Sequence, residues 1–437
     1  MGFPFAFFYN ASVLCGGRMP MPDRRKTSTI SLGIVLAGFL AGALYSFLLF
    51  PSVSKTYEAV LDPDHYGLLG QNIFAGNGLT FRPEDGPTVF RGPLYPFVIA
   101  LSLRLTGGWY PGGVWLMQSL LHGLTCLLVF LMALKLWNRQ VALTAALVYV
   151  FYPSLLWQVP RMWNEILLAF LVAALIYLGL NYLEKPSALT AAGIGAVLAL
   201  LSLTKAIFLP FLILFPAILL LTGPSRSIRN TVLIAMAALL LIMPWTVRNW
   251  RVSGRFIPVH VAMGGNLKRG NLVAREFFRS PLAYGALFER TNPEMDRIKK
   301  SVQGTQVERD IGIDRLMKAS AFRDIRKDPS LIVKKAVSAG AMFWFIGDTP
   351  AKTLVLVILR LPVLLLFAWA ALKGLRAGQA RLWPAVFLVA FFWILNMPFA
   401  PSARLSVPLL PILILFASAE FYRLLFLRRS KACRSEI

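Results

Sequence analysis

Long apolar runs separated by short basic segments constrain the fold of this chain more than any other feature. Backbone groups inside a bilayer must be hydrogen-bonded internally, so a run of about 20 apolar residues that crosses the hydrocarbon core does so as a helix. The runs lie at roughly 29–51, 113–136, 139–158, 163–183, 187–203, 206–222, 229–247, 352–372, 383–399 and 405–424. The sequence therefore predicts an all-α polytopic membrane protein with about ten transmembrane helices.

The charge of the chain fits the same class. Its 437 residues include 45 basic and 20 acidic side chains, for a net charge of +25, yet only 15% of the residues are charged. A soluble protein has about 25%. The basic residues concentrate between the apolar runs, where they contact anionic membrane lipids. Membrane lipids are thus predicted partners, and nucleic acid is not.

Basic residues occupy every second connection, which predicts the orientation. They precede the first run at 24–26 and recur at 135–139, 185, 226–229, 373–381 and 428–434. The positive-inside rule makes this side cytoplasmic, so both termini are predicted to lie in the cytoplasm and, in a bacterium, the helices in the inner membrane. Residues 52–112 and 248–351 are then periplasmic, because long loops cross regardless of their charge.

Four parts follow from this orientation. Residues 1–28 form a cytoplasmic segment whose initiator is Met1, Met19 or Met21. Residues 29–247 form a transmembrane core that includes the loop 52–112, and residues 248–351 form a second periplasmic loop. Residues 352–437 form the last transmembrane helices and a basic cytoplasmic tail.

Each periplasmic loop is predicted to carry an interfacial helix. The segment GPLYPFVIALSLRLTG (92–107) is too short for a span and suits the membrane surface. In the second loop, apolar residues recur every three positions among charges, which predicts an amphipathic helix lying on the membrane. These residues are Leu316, Ala319, Phe322 and Ile325.

Neither the cysteines nor the histidines have the spacing of a metal site. Cys15, Cys126 and Cys433 also give no disulfide framework, and His122 and His260 are interpreted as structural. No cofactor is predicted, although a divalent metal is left open.

An acidic cluster, LDPDHYG, opens the first periplasmic loop with Asp62, Asp64 and Tyr66. A hydroxyl that attacks a sugar carbon needs a base, and a carboxylate within hydrogen-bond reach can supply it. One carboxylate is enough for inverting transfer from a sugar phosphate, because phosphate is already a good leaving group. The alternative is a solvated turn begun by Asp-Pro.

Cations at the predicted outer surface could receive the phosphate of a lipid carrier. They are Arg91, Arg161 beside Asn164 and Glu165, Lys205 and Arg248. The alternative for each is that it snorkels toward lipid headgroups. The segment GGNLKRGN (264–271) is predicted to be a loop, forming either a tight turn or a close backbone approach to a sugar or phosphate.

Several motifs together resemble the bacterial branch of the dolichyl-phosphate-mannose–protein mannosyltransferase superfamily, which includes the lipid A aminoarabinose transferase. Besides GGNLKRGN they are DPDHYGLLGQNIFAGNGLT (62–80), RGPLYPFVIAL (91–101), LTKAIFLP (203–210), PWTVRNWRVSGRFIPV (244–259), ASAFRDIRKDP (319–329) and ARLSVPLLP (403–411). The resemblance implies a GT-C fold and transfer of a sugar from a polyprenyl-phosphate donor to an unknown periplasmic acceptor, a lipid, glycan or protein.

The resemblance also implies roles for individual residues. The catalytic aspartate matches Asp62, by its distance from Tyr66, with Asp64 as a competing match. The lysine that holds the carrier phosphate matches Lys205, and the motifs add Tyr66, Asn266 and Arg404 as substrate-binding candidates beside Arg91, Arg161, Glu165 and Arg248.

The chain departs from the family pattern at three places: Pro63 replaces an acidic residue, Arg91-Gly92 a Glu-Lys pair, and Asn164 an aspartate. The competing functions are a transporter or flippase of lipid-linked sugars and a structural scaffold. A transporter does not need the acidic loop, and a scaffold leaves the outer cations unexplained.

Overall fold

The computed structural model describes residues 24–53, 61–223, 227–279 and 284–435. The candidate initiators, Cys15 and Arg226 lie outside these residues. Every regular element in the described ranges is a helix, and no strand occurs there. The all-α prediction is confirmed.

The helices follow the order of the predicted runs. The first half contains α1 (Arg24–Leu44), which continues through a π-helical turn (Tyr45–Leu49) into α2 (Phe50–Val53), then α3 (Tyr66–Phe74), α4 (Leu94–Leu105), α5 (Gly112–Leu136), α6 (Arg139–Val150), α7 (Pro153–Leu156), α8 (Glu165–Glu184), α9 (Ala188–Thr204), α10 (Phe211–Thr222) and α11 (Ile228–Ser253). The second half contains α12 (Met263–Arg279), α13 (Tyr284–Lys300), α14 (Gln306–Lys327), α15 (Leu331–Trp344), α16 (Pro350–Arg376), α17 (Trp383–Asn396) and α18 (Leu410–Ser435).

Six helices of the described residues are long and apolar enough to cross a membrane. They are Ser28–Ser52, Gly112–Leu136, Glu165–Glu184, Ile228–Ser253, Pro350–Arg376 and Ala403–Leu425. The other four predicted runs are also apolar helices, but shorter. The run 139–158 is not one helix: α6 ends at Val150, and Pro153 starts the short α7. Proline disfavours helical backbone in the residue before it, which explains the break.

Small residues bring the first transmembrane helix against α5. A Cβ added at Gly123 would lie 2.5 Å from the carbonyl oxygen of Val35, and one at Gly38 would lie 2.8 Å from the sulfur of Cys126. Small residues let helix backbones approach closely within a bilayer. This contact anchors the helix that leads into the first predicted periplasmic loop.

The prediction of a loop at GGNLKRGN is wrong, because these residues form the first turns of α12. A Cβ at Gly264 would lie 1.9 Å from the carbonyl oxygen of Asp314 on α14, and one at Gly270 would lie 2.8 Å from that of Pro398. The glycines therefore serve close packing of helices and not a turn.

Helix α14 is confirmed over the predicted amphipathic segment. Its N-terminus is fixed by a capping box, in which the Thr305 hydroxyl accepts from the Glu308 amide and the Glu308 carboxylate accepts from the Thr305 amide. Two of the predicted apolar positions, Leu316 and Phe322, are 40% and 49% exposed. The buried face instead carries Val307, Asp310, Met317 and Ala321. Apolar side chains are therefore exposed on the outer face of α14, and the location of this face on the membrane surface stays a prediction.

Candidate functional site

Five charged side chains from distant parts of the sequence meet at one place in the structure. Asp64 lies between two guanidinium groups: its Oδ2 is 2.6 Å from Nη2 of Arg404, and its Oδ1 is 3.3 Å from Nη2 of Arg91. Glu165 is the second carboxylate, and its Oε1 lies 3.7 Å from Nζ of Lys205 and 3.9 Å from Nε of Arg404. We call Asp64, Arg91, Glu165, Lys205 and Arg404 the ion-pair cluster.

The positions of these side chains follow from where their helices begin and end. Glu165 is the first residue of α8, and Lys205 follows the last residue of α9. Arg404 lies in the 3-10 turn Ala403–Leu409, which leads into α18. The cluster therefore forms where these three apolar helical segments begin or end, together with Asp64 from the residues just before α3.

Gly92 lets Arg91 approach the end of α9. A Cβ at Gly92 would lie 2.5 Å from the carbonyl oxygen of Leu203 and 2.6 Å from that of Thr204. Only a glycine fits at this distance without displacing the backbone of α9. The Arg91-Gly92 pair thus brings a cation beside Lys205.

The segment before Arg91 is fixed by a buried aspartate of α14. The carboxylate of Asp310 accepts hydrogen bonds from the hydroxyl of Thr88 at 2.5 Å and from the backbone amide of Val89 at 3.0 Å. In addition, Arg309 pairs with Asp85 at 2.8 Å. The second predicted periplasmic segment therefore holds the first one in place.

Tyr66 lines the cluster. Its hydroxyl accepts a hydrogen bond from Nδ2 of Asn164 at 3.1 Å, and its ring lies 5.2 Å from the guanidinium of Arg91. Burial raises the pKa of this hydroxyl to about 12, so it stays protonated and can itself donate a hydrogen bond. The family resemblance led us to expect an acidic residue at position 164. Asn164 instead contributes an amide, which donates to the Tyr66 hydroxyl.

Asp62 and Asp64 lie in different environments although only one residue separates them. The Asp62 carboxylate contacts no cation of the cluster: its Oδ2 accepts from the backbone amide of Leu68 at 2.9 Å, near the N-terminus of α3. Its Oδ1 is buried and has no hydrogen-bond partner among the described residues. Between the two aspartates and α3, His65 has a positive φ of 60°, where the chain turns into the helix.

Burial and charge move the pKa values of these two carboxylates in opposite directions. Burial raises the pKa of Asp62, and the amide hydrogen bonds from Gly67 and Leu68 offset it only in part. Burial also opposes ionisation of Asp64, but Arg404 and Arg91 outweigh it and hold the pKa of that carboxyl well below its usual range. The better proton acceptor of the pair is therefore Asp62.

Three of the predicted site residues lie outside the ion-pair cluster, namely Arg161, Asn266 and Arg248. Arg161 stacks between aromatic rings, with its guanidinium 4.1 Å from the ring centroid of Trp157 and 4.8 Å from that of Trp163. The guanidinium of Arg404 lies 4.4 Å from the centroid of the same Trp163 ring, so Arg161 neighbours the cluster without forming an ion pair in it among the described residues. Asn266 is exposed on α12.

Arg248 lines a separate cavity. Its Nη1 donates to the carbonyl oxygen of Thr88 at 2.8 Å and to Oδ1 of Asn249 at 3.1 Å. With Phe97 and Trp245 it borders a cavity of about 370 Å³ beside the segment 77–87. It forms no ion pair with the cluster in the described part of the chain.

His260 lies beside the cluster, which our interpretation of the sequence did not anticipate. Its Nε2 accepts a hydrogen bond from the backbone amide of Ala206 at 3.3 Å, next to Lys205. Burial, together with the nearby Arg91 and Lys205, lowers its pKa to about 3, so the ring is neutral. The side chains of Trp245 and Asn249 bind the carbonyl of Val259 and thereby fix this segment. His122, in contrast, lies away from the cluster, with its Nε2 3.2 Å from the backbone carbonyl oxygen of Val150 and its ring stacked on that of Tyr149.

Within the described residues, no three His, Cys, Asp or Glu side chains are grouped so that they could hold a metal ion. The two carboxylates of the cluster are instead paired with arginine and lysine. The site therefore contains the three cations of the ion-pair cluster and, near them, the carboxylate of Asp62, which pairs with none of these cations.

Comparison with known proteins shows which protein family part of this chain resembles. A family model described as dolichyl-phosphate-mannose-protein mannosyltransferase matches residues 87–250. This stretch, which is less than half of the chain, is similar to that family. The matched stretch contains Arg91, Arg161, Glu165 and Lys205, whereas Asp62 and Asp64 precede it and Arg404 follows it. No curated protein sequence matches the chain.

Solved structures identify the fold. The archaeal oligosaccharyltransferase AglB from Archaeoglobus fulgidus, in complex with an inhibitory peptide and a dolichol-phosphate, matches with a TM-score of 0.57 at 13% identity, over 94% of this chain and 52% of AglB. An Archaeoglobus fulgidus oligosaccharyltransferase tethered to an acceptor peptide matches with a TM-score of 0.56 at 12% identity, over 93% and 51%. This chain thus spans about half the length of these proteins.

The similarity to the oligosaccharyltransferases is one of fold, and it confirms the GT-C type expected from the sequence. ArnT from Cupriavidus metallidurans, solved with undecaprenyl phosphate, also matches, at 12% identity and a TM-score of 0.42 over 91% of this chain and 78% of ArnT.

Proposed function

We propose that this protein is an inverting glycosyltransferase of the bacterial inner membrane. It takes a sugar from a polyprenyl-phosphate carrier and passes it to a lipid, glycan or protein acceptor on the periplasmic side. The observation that carries the proposal is the ion-pair cluster at the helix ends, with the unneutralised carboxylate of Asp62 beside it. The GT-C fold and the family match over residues 87–250 support it.

The cations of the cluster are suited to the carrier phosphate. Arg91, Lys205 and Arg404 each contact a carboxylate in the cluster, and the two carboxylates hold them at one place. An anionic phosphate is stabilised by guanidinium forks and by a lysine charge where water is scarce. The hydroxyl of Tyr66 lies at the same place and can donate to the phosphate or the sugar.

Asp62 is the proposed general base. It takes the proton of the acceptor hydroxyl while the acceptor oxygen attacks the anomeric carbon, and the carbon–oxygen bond to the phosphate breaks. The carrier leaves as its monophosphate, and the configuration at the anomeric carbon inverts. Asp64 positions Arg91 and Arg404 through its two ion pairs. Because the same ion pairs lower the basicity of Asp64, it is less suited to be the base than Asp62.

The test uses the sugar-lipid that co-purifies with the protein, identified by mass spectrometry. The protein in lipid vesicles is incubated with this donor and with an envelope extract as the source of acceptor. We expect polyprenyl monophosphate to accumulate together with a glycosylated product. Movement of the intact sugar-lipid across the vesicle membrane without cleavage would instead establish the transporter.

The same proposal predicts the topology. Single cysteines are introduced at the exposed positions Glu84, Glu289, Lys185 and Ala377 in a variant without the native cysteines. A membrane-impermeant maleimide added to spheroplasts should label Glu84→Cys and Glu289→Cys, because both loops are predicted outside. It should leave Lys185→Cys and Ala377→Cys unlabelled until the cells are permeabilised. The reverse pattern would place the candidate site in the cytoplasm.

A further inference from the structure

Arg360 is a buried cation in the middle of a transmembrane helix. It lies ten residues after the first residue of α16, about 15 Å along the helix axis, and is 2% exposed. No carboxylate lies within ion-pair distance of it in the described residues. Its Nη1 donates to the carbonyl oxygens of Trp344 and Ala403, at 2.9 and 2.6 Å, and to the hydroxyl of Ser406 at 2.7 Å.

The guanidinium joins parts of the chain that are far apart in sequence. Its Nη2 donates to the hydroxyl of Ser154 on α7 at 3.1 Å. Trp344 ends α15, and Ala403 and Ser406 belong to the 3-10 turn Ala403–Leu409. The amide of Ala403 also donates to the carbonyl of Ile346 at 3.2 Å. The start of this turn is therefore fixed on both its amide and its carbonyl side.

A buried arginine without a carboxylate is a costly way to join helices. Replacing buried charges by well-packed apolar side chains is often neutral or stabilising, so joining helices does not require a cation here. Ionisable residues inside membrane helices are for this reason usually functional. Two of the four hydrogen bonds of Arg360 go to the turn that carries Arg404, and the shortest goes to the carbonyl oxygen of Ala403, the residue directly before it. Arg404 in turn contacts Asp64 at 2.6 Å.

We propose that Arg360 is a positioning residue that holds Arg404 in place against Asp64. The planar guanidinium donates at once to two carbonyls and two hydroxyls on three segments, which the ammonium of lysine, a point charge on a flexible stem, cannot match. Loss of the guanidinium hydrogen bonds of Arg360 frees the start of the turn Ala403–Leu409. Arg404 then no longer contacts the carrier phosphate at the required distance. The activity part of this inference rests on the proposed function.

The test combines a structural and a kinetic measurement on the full-length protein. Arg360→Met and Arg360→Lys are compared with Lys373→Met, which removes a cation from the same helix 13 residues further on, where it pairs with Glu420 at 3.2 Å. Hydrogen exchange of the amides of residues 402–409 should become at least about tenfold faster in both Arg360 variants and stay unchanged in Lys373→Met. Unchanged exchange in Arg360→Lys would overturn the inference, even if Arg360→Met fails to fold.

The kinetic measurement separates positioning from general destabilisation. In Arg360→Lys, the KM for the polyprenyl-phosphate sugar should rise about tenfold, as expected for loss of one charge-assisted contact, while the KM for the acceptor stays constant. Adding Arg404→Lys should cause little further loss, since both changes disturb the same contact. Equal increases in the KM for the donor and for the acceptor would contradict the inference. Fully additive effects of Arg360→Lys and Arg404→Lys on the donor KM would contradict it too. If the wild-type protein transfers no sugar, the proposed function fails, and the exchange measurement alone decides the role of Arg360.

Discussion

Replacing Asp62 by asparagine is expected to lower the rate of sugar transfer at least about a hundredfold, because general-base help contributes typically about 10² to 10⁴ in rate. Asparagine keeps the hydrogen bond from the Leu68 amide but cannot accept a proton. Expression and donor binding should be unchanged, since Asp62 contacts no cation of the cluster. The measurement is the single-turnover rate of donor cleavage in vesicles.

Asp64→Asn is the matched comparison. It should weaken donor binding, since Arg91 and Arg404 lose their partner, but it should cost less in the single-turnover rate at saturating donor. The raised pKa of Asp62 gives a second expectation: its carboxylate protonates at a higher pH than an ordinary aspartate, so the acid limb of the rate profile should lie above the usual range and vanish in Asp62→Asn. An inactive Asp64→Asn beside an active Asp62→Asn would exchange the two roles, and full activity in both would favour the transporter.

Lys205→Ala is expected to weaken use of the polyprenyl-phosphate donor by roughly ten- to a hundredfold, the cost of one lost charge-assisted contact of about 1.5–3 kcal/mol. The change also leaves Glu165, which is 2% exposed, with one cation fewer. The measurement is the KM for the donor, with binding of polyprenyl monophosphate as an independent check. Normal donor dependence in this variant would remove Lys205 from the site.

Arg248→Ala provides the comparison for Lys205→Ala. Both residues were predicted to bind the carrier phosphate, but Arg248 donates to the carbonyl of Thr88 and lies outside the cluster. Its loss should loosen the segment before Arg91 and raise the donor KM less than Lys205→Ala does. An equal or larger effect would show that the carrier phosphate reaches the cavity beside Arg248.

The sequence was sufficient to predict the helices and much of the site. The length of the apolar runs predicted the helices, since burial in lipid leaves the backbone no alternative, although the run 139–158 is divided at Pro153. The outer cations and the acidic loop were predicted at the same membrane level, and the structure brings Arg91, Lys205, Asp64 and Glu165 together. Their level could be predicted because it depends on where each apolar run ends.

Other parts could not be predicted, because the sequence does not give the position of a residue around the bundle. Arg161 and Arg248 end apolar runs as Lys205 does, yet they face other neighbours. The glycines of GGNLKRGN suited a loop, because nothing in the sequence shows the carbonyls of Asp314 and Pro398 against which they pack. His260 lies beside Lys205 only because Trp245 and Asn249 hold its segment there.

The ion-pair cluster has a consequence for the end of the reaction cycle. With all five groups ionised, its three cations and two carboxylates leave one positive charge in excess, which matches the single negative charge of a phosphodiester donor. The monophosphate left on the carrier after transfer carries about −1.5 to −2 charges at neutral pH. On the proposed function, the spent carrier would then be held more strongly than the incoming donor, and its departure into the membrane, not the bond-making step, would limit the rate of turnover.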